Sequence, residues 1–332
     1  MKIFRISDAF QYMSRLQIFF PLSFFFIPSL ASAHVKWFVD YQHSTSTRPY
    51  LFSDLPVIFW VVVSLLILCA GFWIEKKLPV PAKILGFFHR SEDAIISFFT
   101  AFIGFGFIIF SIQGYVFAPV LIPQGSAGFF LLSTQVIIGV GMLLGIGVRF
   151  FAGMLFILYG ASVLSFGIGE MIDALEVIGI ACMLFILGRP RWSLFDIPVS
   201  FELLSRWKPY AIPLLRVFTG LNLIALGFNE KILHPSWSLA FLQAHPWNFM
   251  QMIGFHAYSD YWFVLSAGAV EALFGLVFVL GIVTRVNTIV LGCFFATTLM
   301  LLGPLELFGH ILHFGIVAVL LIWGSGEKLK IS

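Results

Sequence analysis

The chain has 332 residues, 60% of them apolar, and only 35 carry a formal charge, 19 basic and 16 acidic. Soluble domains are roughly 45–50% apolar and about 25% charged, so this chain has too little polar surface to clothe itself for water. A soluble enzyme, a disordered chain and a nucleic-acid binder are excluded. An all-α polytopic membrane protein embedded in a lipid bilayer is expected, since roughly 200 apolar residues furnish nine or ten spans of about 20.

The first 33 residues read as a signal peptide. Lys2, Arg5 and Arg15 form a basic leader, Leu16–Leu30 is the apolar stretch, and Ala31-Ser32-Ala33 matches a small-x-small cleavage site. Whether this segment is cleaved or stays as an anchor, the residues from His34 to Pro56 fall on the outer face. Cleavage leaves His34 at the N-terminus, where an amine and an imidazole together suit copper or zinc; chance placement is the plain alternative.

Apolar helices follow at 56–74, 91–113, 129–148, 150–169, 171–188, 210–228, 262–283, 286–303 and 307–323, giving nine transmembrane helices. Thirteen basic residues between Lys76 and Lys330 fall in the segments on one side, against only Lys36, Arg48 and Lys231 on the other. By the positive-inside rule the C-terminus is cytoplasmic and the mature N-terminus outside, in a bacterial inner membrane. Cys69, Cys182 and Cys293 sit singly inside apolar runs, with no CxxC, and read as small buried hydrophobes.

The chain also repeats itself. LLGIGVR (Leu143–Arg149) matches VLGIVTR (Val279–Arg285) at an offset of 136, at which Gly139 meets Gly275, Glu170 meets Glu306 and Gly188 meets Gly324. The first helix of each unit aligns through Phe99-Thr100 and Phe218-Thr219 at an offset of 119, and the 17-residue difference falls in a longer loop around Ser236–Tyr261. Four helices return the chain to its starting side, so the two repeats are parallel rather than inverted. The expected organisation is 1–33 signal peptide, 34–90 outer segment with one extra N-terminal span and an inner loop, 91–188 first four-helix repeat, 189–209 inner linker, 210–325 second four-helix repeat, and 326–332 inner tail.

Glu271 on a second helix, Gly281-Ile282-Val283-Thr284-Arg285 after it, and the GFNEK exit of a first helix at Gly227–Lys231 resemble the DoxX family, clearly over 210–325 and more weakly over 91–188. The family includes the membrane subunit of thiosulfate:quinone oxidoreductase and membrane partners of other redox systems. The resemblance therefore implies a redox-linked membrane subunit that meets quinone, and a periplasmic or membrane redox partner.

Ionisable residues at membrane depth are costly and are functional candidates. Glu271 lies 14 residues from Arg285, or roughly 21 Å along a helix, well inside the apolar core; it serves either proton chemistry or a structural bond to a neighbouring helix. Glu306, His310 and His313 share one helix face. The two histidines suit a metal, haem or copper, or proton exchange with a quinol, and interfacial hydrogen bonding is the alternative. Arg216 and Trp262 complete the candidate site in the second repeat. At the same offsets the first repeat carries Ser97 for Arg216, Gln135 for Glu271, Ala174 for His310 and Val177 for His313. Glu170, Asp173 and Glu176 are spaced by threes and read as a solvated helix start, with an acidic vestibule for cations as the alternative. Two further functions remain open on these residues: a proton-coupled transporter for a small solute or metal ion, and a membrane scaffold whose polar groups only fasten helices.

Overall fold

The computed structural model describes Lys36 and residues 47–77, 92–188, 204–303 and 309–331. The signal segment, His34, Glu306 and most of the 189–209 linker lie outside that set. Among the described residues every regular element is a helix. Six stretches are long and apolar enough to cross a membrane: α1 (Leu55–Lys77), α2 (Glu92–Ile112), α3 (Gly125–Leu144), α4 (Val148–Phe166), Lys208–Leu233 and Asp260–Leu280. Three others are shorter: α5 (Glu176–Leu187), Thr284–Met300 and Ile311–Trp323. In chain order the helices after α5 are α6 (Ala211–Leu226), α7 (Pro235–Ala244), α8 (Asp260–Leu280), α9 (Thr284–Leu302) and α10 (Ile311–Trp323). The 12 residues of α5 reach roughly 18 Å, short of a ~30 Å apolar core. It is short because α4 stops at Gly167 and the chain passes through two tight turns, Ile168–Met171 and Ile172–Ala174, before the helix resumes.

The bundle's outward face is apolar, with Leu164, Met300 and Leu55 at 89%, 86% and 80% exposure. In water so large an apolar face would drive aggregation; against lipid tails it is the face required. Cys69 and Cys293 are exposed on this surface and Cys182 is half-buried. The thiols therefore belong to the bundle's rim rather than its core, because each falls on the outward side of its helix.

Lipid supplies little hydrophobic drive for helices to associate, so close backbone approach matters more than in water. Helices α2 and α3 cross at Gly104 and Gly139, where a Cβ on Gly104 would lie 2.5 Å from the Gly139 carbonyl oxygen. Helices α6 and α8 cross in the same manner, with a Cβ on Gly220 falling 2.5 Å from the Gly275 oxygen. Setting the crossings in register takes an offset of 136 from Gly139 to Gly275 and 116 from Gly104 to Gly220. The second figure corrects the offset of 119 drawn from Phe99-Thr100 and Phe218-Thr219. Phe218-Thr219 adjoins the crossing glycine Gly220, whereas Phe99-Thr100 lies a turn before Gly104. Arg216 accordingly stands opposite Thr100 rather than Ser97, and the longer loop carries 20 extra residues, the difference between 136 and 116.

The 136-residue spacing also relates two arginine anchors. Arg149 Nε donates to the Phe185 carbonyl at 3.2 Å, and Arg285 Nε donates to the Leu321 carbonyl at 3.1 Å. Each guanidinium thus answers carbonyls that the last turn of a helix leaves without partners. The two sets of helices interlock: α5 packs on α4 and α6, while α10 packs on α9 and α2. Trp323 closes the second junction by donating from Nε1 to Glu92 Oε1 at 2.9 Å. A single apolar core runs through both sets, including Ile103, Phe107, Ile138, Ile180, Leu215 and Phe295. Helix α1 rests on the outside against α8, where Trp60 Nε1 donates to Ser266 Oγ at 2.8 Å.

Candidate functional site

Past Leu226 the helix widens into a π-turn, Gly227–Leu233, a geometry often found where side chains serve a site. The widening, with α7 and α8 packed around it, places the consecutive side chains of Glu230 and Lys231 inside the protein, each only 1% exposed. Lys231 Nζ donates to Glu271 Oε2 at 2.7 Å across to α8. The α2–α3 crossing holds Gln135 at the corresponding place. Its Oε1 accepts from the Phe117 N–H at 3.0 Å, and its Nε2 faces Ser111 Oγ at 2.9 Å, the Tyr115 carbonyl at 3.1 Å and the Phe107 carbonyl at 3.2 Å. In both crossings, then, a polar residue on the second helix fastens the exit of the first. One fastening is a neutral amide and the other an ion pair.

The ion pair belongs to a larger group of charges at the same end of the bundle. Lys36, 5% exposed, donates from Nζ to Asp173 Oδ2 at 2.6 Å and to Glu170 Oε2 at 3.1 Å, and lies 5.1 Å from the centre of the Trp237 ring. Burial pulls the Lys36 ammonium down, but Asp173, Glu230 and Glu170 together outweigh it and hold the group above its usual value. The Asn229 amide also hydrogen-bonds Asp173. Asp173 and Glu176 are each 3% exposed, so the expected solvated helix start is a buried one. Lys36 meets this end through Asp173, and Tyr50 donates its hydroxyl to the Tyr261 carbonyl at 2.6 Å. Such burial comes from contacts more than a hundred residues apart, which local spacing does not carry.

His310 and His313 lie at the start of α10, 0% and 4% exposed, with ring centroids 5.5 Å apart and Phe295 packed against both. Asn222 on α6 connects them to the charged group: its Nδ2 donates to the Ile172 carbonyl, beside Asp173, and its Oδ1 faces His313 Nε2, each at 3.5 Å. The structure thus brings Glu271, His310 and His313 to one end of the bundle and joins the histidines, through Asn222, to the acidic run that the sequence placed in water. Asn222 falls in an unremarkable apolar stretch, and Lys36 in a segment that reads as a loop. The one legible hint was GFNEK, whose charges have no obvious aqueous face.

Two candidates stand elsewhere. Arg216 is fully buried and donates to the carbonyls of Phe278, Val279, Ser325 and Leu329. Val279 is eight residues beyond Glu271, roughly 12 Å along α8, so Arg216 ties the far end of that helix to the C-terminal tail. Trp262 stacks at the near end of α8 with Tyr50 and Tyr261, at 6.1 and 4.8 Å between ring centroids. Among the described residues no three His, Cys, Asp or Glu side chains gather in a metal-binding group. Two imidazoles fall short of the three or four protein ligands that a zinc site takes. The group of side chains is suited to holding and passing protons. No family model, no curated protein and no solved structure matches the chain.

Proposed function

We propose that the chain is a DoxX-like protein of the bacterial inner membrane, acting as the membrane subunit of a redox system that exchanges protons with a quinol near the outer face. Its nine spans follow a signal peptide and comprise one extra span and two parallel four-helix units, with the C-terminus cytoplasmic. The recurring glycine crossings, the paired arginine anchors and the constant spacing of 136 residues between them support the duplication. The turns Ile168–Ala174 lengthen α5 toward a full crossing.

The observation that carries the reading is the line from His310 and His313 through Asn222 to the Ile172 carbonyl and the charges beside it. Buried imidazoles in an aromatic setting can accept protons from a bound quinol hydroxyl. Asn222, donating at one end and facing a ring nitrogen at the other, orients His313 toward the charged end. The test uses the full-length protein purified in mild detergent. Quinone is expected to co-purify with it, or a short-tailed quinol to bind it, and His310→Ala/His313→Ala should lose either while remaining folded. A folded wild-type protein that neither carries quinone nor binds the quinol overturns the reading. Solute flux into vesicles that responds to Glu271→Gln would replace it with the transporter.

A further inference from the structure

Glu176 opens α5 with its carboxyl nine-tenths and more buried, and its Oε2 has no hydrogen-bond partner among the described residues. Asp173, one turn earlier, is equally buried, and its Oδ1 also lacks one. The charged and titratable groups around the pair are all committed. Lys36 binds Asp173 and Glu170, Lys231 binds Glu271, and Tyr159 donates its hydroxyl to the Met171 carbonyl at 2.6 Å. Glu230 lies in the field of Asp173, Lys36, Lys231 and Glu271, and the histidines stand beyond Asn222. The charge that bears most directly on Glu176 is that of Asp173, which is of the same sign. The Glu176 carboxylate has one backbone hydrogen bond, from its own N–H, and no opposite charge beside it, so most of its desolvation goes uncompensated.

We infer that Glu176, with Asp173 beside it, forms a proton-binding site, filled by one proton carried on Glu176 while Asp173 stays ionised against Lys36. A metal ion is the other way to neutralise buried carboxylates, and among the described residues the side chains do not gather in a metal-binding group. The Lys36 ammonium already holds the cationic position. Glu170, its side chain 36% exposed at the rim, offers the proton a way to water, and the Ile172 carbonyl that Asn222 engages lies one residue before Asp173. The site stands on burial and charge and does not depend on the quinol reading; a protein that binds no quinone would still carry this proton.

Infrared spectra of the purified full-length protein at neutral pH test it. The carbonyl stretch of a protonated carboxylic acid should be present and shift in heavy water, and Glu176→Gln should remove one carboxyl's share of it. Lys36→Met, which strips Asp173 of its ammonium, should add one further carboxyl. Glu176→Asp, which keeps the acid and moves its band, serves if the glutamine variant does not fold. Absence of the band from the wild type overturns the site. So does a band unchanged by both Glu176 variants, or one that fades on adding sodium at constant pH, which would make the occupant a metal cation.

Discussion

The α2–α3 and α6–α8 crossings share a backbone arrangement and differ in the chemistry that fastens them. Both bring two glycines into contact, and both place a polar side chain of the second helix against the exit of the first. Gln135 does this with a neutral amide that serves several partners in a chain turn, including the Phe117 N–H. Glu271 does it with a single ion pair to Lys231, beside Asp173, Glu230 and Lys36. A neutral amide asks little of its surroundings. A buried ion pair must recover its desolvation from geometry and neighbours, and it becomes costly when one partner is lost. The same fold therefore carries one crossing that needs only itself and one that depends on a network of charges reaching the N-terminal segment.

The largest effect that would break this contrast is at Lys231. Replacing it by Met leaves Glu271 buried beside other carboxylates, with an expected loss of about 3–5 kcal/mol, read as a lower unfolding temperature in detergent. Adding Glu271→Gln should restore most of that loss, because the second crossing then has the neutral chemistry of the first. A double variant no more stable than Lys231→Met alone would mean that the two crossings are not interchangeable.

The first crossing should yield a smaller effect. Gln135→Leu leaves the buried Phe117 N–H without its acceptor, at an expected cost of about 1–3 kcal/mol. Phe117 has φ near +63°, an uncommon conformation for a residue with a side chain, so this bond also holds a turn that would otherwise relax. The exchange of the Phe117 amide with heavy water should rise in the variant, whereas exchange at the α6–α8 crossing should not.

Much of the frame was legible because membrane helices are written locally, in length, apolarity and flanking charge. The GIG and GIV turns, the 136-residue spacing of Arg149 and Arg285 and the apolar setting of Glu271 could all be read in short segments. The register of the first helices was not, because Phe-Thr is a chance likeness while the glycine contact that fixes the register involves a partner 35 residues away in one crossing and 55 in the other. Lys36 and Asn222 were missed, and Asp173 and Glu176 were read as solvated, for a related reason. Each acquires its meaning from a residue distant in the chain, and an acidic run spaced by threes looks the same in sequence whether water or protein covers it.

The finest difference between the crossings lies in the turns that follow them. After α3 the chain passes through Gly147 at φ +49°, and after α8 through Val283 at φ +39°. Glycine takes this left-handed conformation freely, whereas a residue with a Cβ gives up roughly 1–2 kcal/mol to do so. Val283 is held there by two contacts that Gly147 does not need. Its N–H donates to Glu75 Oε2 at 2.8 Å, and its side chain lies against α1 at Gly71, where an added Cβ would come 3.4 Å from Val283 Cγ2. Val283→Gly keeps the first contact and loses the second, so relief of strain should exceed the lost packing only slightly, for a gain of up to about 1 kcal/mol. Gly147→Val has no such compensation and should lose roughly 1–2 kcal/mol. If α1 exists to hold this turn, removing the Glu75 carboxylate should destabilise the valine form more than it destabilises Val283→Gly. Equal sensitivity in both backgrounds would show that Glu75 serves α1 in some other way, and that the strained valine is not what sets the two crossings apart.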